Sequence, residues 1–403
     1  MNVFQKGWYR FFQKAIYICS PFLPWRQPEI LQFDGGIKDL PAFIESKGIK
    51  SVLLVTGPNL FRLGAPAPII DGLKEKGINC TVYHDTVANP TIDNVEDALK
   101  MYKEGNCQCI VAFGGGSPMD CAKVVGARVA RPKKSVSKMK GLLKIRKKIP
   151  MFIAIPTTAG TGSETTLAAV ISNSETHEKY AINDHSIIPH YAILDATLTV
   201  GLPPKTTATT GIDALTHAVE AYVGKSNTKE TKAMAEKAVK LIFDNLLEAY
   251  EDGGNLEARE NMLKGSYYAG VAFTRAYVGY VHAIAHTLGG FYHVAHGLAN
   301  SVILPYVLEY YGKSVHKKLA RLADITGLSA EGDSDAVKAE KFIQAIKDMN
   351  KKMDIPEKFE GIIKEEDIPV MVERAYKEAH PLYPVPKFMG KKQLEEMYRK
   401  ISC

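Results

Sequence analysis

Asp213 and His217 stand four residues apart in GIDALTH (211–217). His282 and His286 stand four apart in VHAIAHTLGGFYHVAHG (281–297), which also holds His293 and His296. Residues four apart share a helix face, so two helices could each aim a pair of ligand-type side chains at one point. Nitrogen and carboxylate donors without thiolate suit a divalent iron, zinc or manganese ion better than a cysteine-bound structural zinc. The chemistry indicated is therefore that of a catalytic metal. The chain has only 11 histidines, which makes two such pairs hard to ascribe to chance. Spacing alone leaves open which of Asp213, His217, His282, His286 and His296 coordinate.

A second chemical signal lies in IVAFGGGSPMDCAK (110–123), where an apolar run enters three glycines and then a helix-like stretch. Glycines let the backbone turn sharply and approach a ligand. A helix N-terminus beyond them presents free N–H groups to a phosphate. The pattern is neither GxGxxG nor GxxxxGK[ST]. A hydroxyl-rich loop follows at IPTTAGTGSETT (155–166), able to hold ribose or phosphate. A nucleotide loop beside a metal suggests a nicotinamide-dependent reaction: the metal lowers the pKa of an alcohol, and its hydride passes to the cofactor.

These residues need a scaffold. Short apolar runs at 51–56, 79–83, 109–113 and 151–155 alternate with helical patterns at 92–105 and 118–130, which predicts a parallel sheet with crossover helices. Further strands are expected at 168–173 and 191–194. After LPPK (202–205) helix-length stretches take over: 205–223, 228–250, 257–274, 278–290, 297–310, 313–326 and 335–352. The expected domains are an extension (1–30), an α/β dinucleotide-binding domain (31–203) and an all-helical metal and substrate domain (204–403), with chemistry in the cleft between the last two.

The net charge of +7 is concentrated in RPKKSVSKMKGLLKIRKK (131–148). No aromatics are interleaved there for base stacking, so a solvated loop is favoured over a nucleic-acid surface. The six cysteines show no paired spacing; with no signal sequence this predicts reduced thiols and a cytoplasmic protein. Residues 1–26 mix aromatics at helical spacing with Lys6, Arg10 and Lys14. Packing on the enzyme body or a sister subunit is favoured there over contact with a membrane surface.

The chain resembles the iron-containing (group III) alcohol dehydrogenases from about residue 32 onward. The resemblance is carried by GGGSPMDCAK (114–123), PTTAGTGSE (156–164), ILDATLTVGLPP (193–204), GIDALTHAVEAY (211–222) and GYVHAIAHTLGGFYHVAHGLAN (279–300). It implies a dehydroquinate synthase-like two-domain fold, Fe(II) with zinc as the other ion the ligand set allows, and a small alcohol or aldehyde substrate. It also implies metal ligands at Asp213, His217, His282 and His296, and places His286 beside the nicotinamide as a proton relay, a task imidazole can perform near neutral pH. Cofactor contacts carry over to Gly115, Gly116, Ser117, Asp120, Thr157, Thr158, Ser163 and Lys179, and a homodimer is implied. His293 matches no family histidine. Competing readings are a glycerol dehydrogenase-like polyol oxidoreductase, a dehydroquinate synthase, and a membrane-associated scaffold that has lost catalysis.

Three departures stand out. VTGPN carries Gly57 where NAD-preferring members commonly have Asp, which makes NADP acceptable alongside NAD. FTRAYVGYVH carries Arg275 and Tyr277 in place of a compact polar residue and glycine. Phe273 matches a substrate-pocket position, and Arg275 offers an anion-binding guanidinium unless it is paired elsewhere. Residues 1–30 have no counterpart in typical members.

Overall fold

The computed structural model describes residues 1–174 and 179–402. The chain folds as two compact units: Pro24–Thr199, and Met1–Leu23 with Val200–Cys403.

The first element, α1 (Val3–Cys19), belongs to the second of these units and is capped by Asn2 and Gln5 in a reciprocal pair. The α/β unit then runs β1 (Glu29–Ile30), α2 (Leu40–Ser46), β2 (Ser51–Val55), α3 (Pro58–Arg62), α4 (Ala67–Glu75), β3 (Asn79–Tyr83) and α5 (Ile92–Glu104). It continues through β4 (Cys109–Gly114), α6 (Gly116–Ala130), β5 (Gly141–Leu142), β6 (Met151–Pro156), β7 (Ala168–Ser172), β8 (Lys179–Asn183) and β9 (Tyr191–Ala192).

Six strands form one sheet in the order β1-β9-β6-β4-β2-β3, every pairing parallel. Alternation of side chains across the strands splits the core in two. Leu53, Val55, Ile110 and Ala112 pack with Val95 and Leu99 of α5 and Met119 and Val124 of α6. Val52, Leu54, Val111 and Phe113 pack with Leu40 and Ile44 of α2 and Ile69 and Leu73 of α4. Burial on both faces explains why the strands read as unbroken apolar runs. The strand expected at 168–173 forms as β7 but lies outside the parallel sheet. It pairs antiparallel with β8 in a separate sheet of order β5-β8-β7. The polar loop 157–167 leads the chain away from β6 before β7 begins, and the alternating burial of β7 suits a sheet covered on one side.

The basic stretch 131–148 links α6 to β6 and is held by its own backbone. Arg131 Nε donates to Ile145 O at 2.6 Å and Lys134 Nζ to Lys144 O at 2.8 Å.

The helical unit comprises α7 (Pro204–Val223), α8 (Lys229–Glu251), α9 (Leu256–Ala276), α10 (Tyr280–Tyr292), α11 (His296–Tyr311), α12 (His316–Ile325), α13 (Asp335–Lys352), α14 (Ile368–Ala379) and α15 (Lys391–Ser402). The 3.6-residue period marked the first seven; α14 and α15 were not expected. The centre of the unit is α7, whose residues 211–223 are all buried. Such a helix holds a polar side chain only where a partner answers it.

Helix α1 lies on this unit through one face. Gln13 is buried and its Nε2 donates to Pro381 O and Tyr383 O, each at 2.8 Å. Arg10 donates to Pro386 O at 3.1 Å, and its guanidinium sits 3.9 Å over the Phe388 ring.

Candidate metal centre and cofactor loops

Asp213 and His217 occupy successive turns of α7, His282 sits in the first turn of α10, and His296 opens α11. One donor atom from each lies within 4.8 Å of every other. Two glycines allow the approach. A Cβ at Gly297 would sit 2.5 Å from Thr209 O, so only glycine lets the start of α11 reach the α7 backbone. A Cβ at Gly279 would meet Glu220 Oε1 at 2.6 Å, so glycine there makes room for the carboxylate that organises α10.

That carboxylate, Glu220, is buried and accepts from Gly279 N at 2.8 Å, Val281 N at 2.9 Å and His282 Nδ1 at 2.6 Å. Burial raises its pKa to about 8 against the pull of those donors. With Nδ1 engaged by Glu220, the His282 Nε2 lone pair faces the cluster. A carboxylate behind a metal-facing imidazole fixes both its tautomer and its orientation. Asn300 answers the cluster from within α11: its Nδ2 lies 2.6 Å from Asp213 Oδ1, 3.1 Å from His296 Nε2 and 3.3 Å from His282 Nε2. Burial, then the neighbouring His217, His296 and His286, holds the His282 pKa well below the usual imidazole range. Three imidazoles and one carboxylate, all buried except the half-exposed His296, offer the lone pairs that fit a divalent cation, whose charge a single carboxylate partly offsets.

Phe273 stacks on His217 with ring centres 4.2 Å apart and planes inclined by 13°, placing an apolar wall against one member of the cluster. His286 lies one turn beyond His282; its ring stacks on His296 at 5.2 Å, and its Nδ1 is 2.7 Å from Glu378 Oε1. Arg275 is drawn away to an ion pair with Glu230 of α8. Tyr277 ends α9 at φ 67°, a conformation suited to glycine. His293 takes the left-handed conformation that closes α10 and is exposed, a capping position rather than a ligand position.

In the α/β unit, β4 ends at Gly114 with φ 149°, and α6 starts with no side chain capping its N-terminus. Its first N–H groups are thus left for a ligand. Cβ atoms on Gly115 and Gly116 would press on Thr158 Oγ1 at 3.3 Å and Thr161 Cγ2 at 3.1 Å, so bare glycines keep the two loops close. Ser117 lies in the first turn of α6 and Thr157 and Thr158 follow β6.

Asp120 and Ser163 bind one another. Ser163 Oγ donates to Asp120 Oδ1 at 2.8 Å, and Asp120 Oδ2 accepts from Val170 N at 2.9 Å. Lys123, fully buried, donates to Ser163 Oγ, Thr166 Oγ1 and Ala168 O. Burial lowers its pKa to about 8, opposed by Asp120 and Glu164. This network ties α6 to the second loop. Lys179, at the start of β8, is exposed and reaches Asn89 Oδ1 at 2.7 Å. Gly57 precedes α3 in an extended conformation, φ −102°.

Sequence reasoning missed Glu220, Asn300 and Glu378. Glu220 lies seven residues after Asp213 and Asn300 four after His296, the same helical spacing that exposed the ligands. Glu378 is 92 residues from His286, and no local pattern marks it.

Comparison with known proteins gives two family matches, the iron-containing alcohol dehydrogenase model over residues 27–196 and the Fe-containing alcohol dehydrogenase family C-terminal model over residues 207–402. Alcohol dehydrogenase 4 of Saccharomyces cerevisiae is 38% identical over 356 residues, covering 87% of this chain and 91% of its own. A crystal structure of a 1,3-propanediol oxidoreductase superposes with TM-score 0.89 at 36% identity, over 94% of this chain and 99% of that one. Sulfoacetaldehyde reductase from Bifidobacterium kashiwanohense, crystallised with NAD+, gives TM-score 0.84 at 28% identity, over 94% and 98%.

Proposed function

The chain belongs to the iron-containing alcohol dehydrogenase family, and from that premise we propose that Asp213, His217, His282 and His296 hold Fe(II) in an enzyme that interconverts a small primary alcohol and its aldehyde. The observation that carries the metal assignment is the convergence of these four donors within 4.8 Å, with Glu220 fixing the tautomer of His282. When bound at these residues, the ion would supply Lewis acidity toward a substrate oxygen, and a nicotinamide would supply hydride-transfer capacity.

The protein's own groups do the rest. Phe273 lines the cluster beside His217 and favours a small apolar carbon chain. His286, held by Glu378, exchanges a proton with the reacting oxygen. Gly115, Gly116 and Ser117 receive the cofactor pyrophosphate at the free end of α6, with Thr157 and Thr158 alongside, while Asp120 and Ser163 keep the second loop in place. Lys179 completes the cofactor set from the start of β8, the central strand of the smaller sheet.

Gly57 presents no carboxylate to a 2′-phosphate, so both NADP and NAD are cofactors. With Arg275 paired to Glu230, a neutral alcohol or aldehyde is the substrate rather than an anionic one. A cytoplasmic homodimer is the proposed working form.

The test is oxidation of NADPH and NADH with short aldehydes by protein loaded anaerobically with Fe(II), repeated after chelation. Turnover lost on chelation and restored by Fe(II) is expected. Turnover indifferent to a chelator that strips the metal would overturn the assignment.

A further inference from the structure

Helix α1 has two faces of different character. One carries Tyr9, Arg10 and Gln13 onto the helical unit, with Gln13 5% exposed. The other points away from that unit and is apolar. Phe4 is 89% exposed, Trp8 57%, Phe11 65% and Ile18 56%, and Phe22, in the turn just beyond the helix, 87%. Positions 4, 8, 11, 18 and 22 keep the three- and four-residue spacing of one stripe. Trp8 and Phe11 stack along it with ring centres 5.9 Å apart. Nothing in the fold requires five large apolar side chains in water at one place. A contiguous patch of this kind marks a contact.

Charge identifies the occupant. No Asp or Glu occurs before Glu29. Lys6 and Lys14 are exposed on the same helix, and Lys225 lies near enough to Arg10 for the two cations to repel. A second copy of α1 laid on this stripe would bring two acid-free, basic segments together with no carboxylate to offset them. An anionic lipid surface supplies the missing negative charge and accepts the aromatic side chains between its headgroups. No helix among the described residues is long and apolar enough to cross a membrane, and α1, about 25 Å long at 1.5 Å per residue, suits lying in the plane of the interface.

We infer that α1 docks the protein on an anionic membrane surface, with Phe4, Trp8, Phe11, Ile18 and Phe22 inserted among the headgroups and the helical unit held on the aqueous side. The tyrosine, arginine and glutamine of the other face are the rivets that fix the anchor to the enzyme. This inference does not depend on the metal or cofactor assignment.

The full chain is sedimented with vesicles of phosphatidylcholine alone and of phosphatidylcholine with phosphatidylglycerol. Vesicles containing phosphatidylglycerol are expected to carry down on the order of tenfold more protein. Trp8 emission should shift to the blue on binding, a shift absent from Trp8→Phe, which keeps Trp25 as an internal reference. The combined Phe4→Ser, Trp8→Ser, Phe11→Ser variant should lose vesicle binding while reducing aldehydes at the parent rate, a check that it folds. Lys6→Glu with Lys14→Glu, which spares the apolar face, should weaken binding to anionic vesicles several-fold.

The inference is overturned if the full chain stays in the supernatant with both vesicles, or if the serine variant sediments with vesicles as the parent does. Equal binding to neutral and anionic vesicles removes the charge argument and overturns it too. A serine variant whose only change is a smaller mass in vesicle-free solution assigns the stripe to a second copy instead.

Discussion

His286 holds its Nδ1 2.7 Å from Glu378 Oε1, and the same carboxylate oxygen accepts the Tyr383 hydroxyl at 2.8 Å. Burial and the adjacent Glu378 keep the Tyr383 phenol protonated, well above its ordinary range. The carboxylate therefore receives two donors and leaves His286 Nε2 available to the neighbouring ring cluster. Glu378→Gln keeps the volume but replaces an acceptor-only group with an amide, loosening control of the tautomer. Its kcat is expected to fall about 10- to 100-fold with little change in KM, and Tyr383→Phe should cost less. Steady-state kinetics across pH check this. An unaltered profile in Glu378→Gln would mean that His286 needs no orienting partner.

Gly297 sets the distance between α7 and α11. An alanine Cβ would lie 2.5 Å from Thr209 O and 2.9 Å from Thr209 C, both backbone atoms that cannot swing aside. Gly297→Ala should therefore push α11 away, draw His296 from Asp213, and destabilise the fold by about 1–3 kcal/mol. The expected readouts are a lower Tm and a lower iron content per chain. Gly290→Ala is the control: its Cβ meets nothing within 4 Å, so neither quantity should drop.

The limits of legibility follow the range of the interactions. Asp213 and His217, like His282 and His286, could be paired from sequence because the helical repeat links them locally. The joining of two such pairs with His296 depends on Gly297 and Gly279, whose importance appears only once Thr209 and Glu220 are seen beside them. The seven helices from α7 to α13 were readable from helix-length stretches, most of which bury one stripe against their neighbours, while α7 over 211–223 is buried on every side. Strand β7 was readable as a strand but not as a member of the smaller sheet, since pairing with β8 is a tertiary choice. Arg275 illustrates the same limit: its charge was visible, but its partner Glu230 is 45 residues away.

Gly57 makes cofactor choice testable by one substitution. Its backbone is extended, and a Cβ would meet only Thr86 O, at an ordinary 3.5 Å. Aspartate can therefore be installed without strain. A carboxylate there should accept from ribose hydroxyls and repel a 2′-phosphate. Gly57→Asp is expected to move the kcat/KM ratio toward NADH over NADPH by about tenfold or more, an effect of about 1.4 kcal/mol. An unchanged ratio would show that cofactor choice is made elsewhere.

Acid stability should depend on two histidines kept neutral by the fold, His380 buried and His190 half-buried. His380 Nε2 lies 2.8 Å from the Tyr280 hydroxyl and its Nδ1 lies 3.0 Å from Tyr376 O; His190 Nδ1 accepts from Phe152 N at 3.1 Å. Burial lowers each pKa from 6.5 to about 4. As pH falls below 6.5 the unfolded chain takes up protons that the folded one refuses, so stability declines until the folded groups protonate near pH 4. His380 removes up to about 3 kcal/mol across that window and the half-exposed His190, screened by solvent, less, whereas above pH 6.5 neither contributes a slope. His380→Gln keeps an acceptor for Tyr280 and a donor for Tyr376 O while removing the titration. Its Tm should therefore fall less steeply than that of the parent between pH 6.5 and 4. Thermal unfolding across that range checks it, and an equal slope in the two proteins would show that His380 is not the group that titrates.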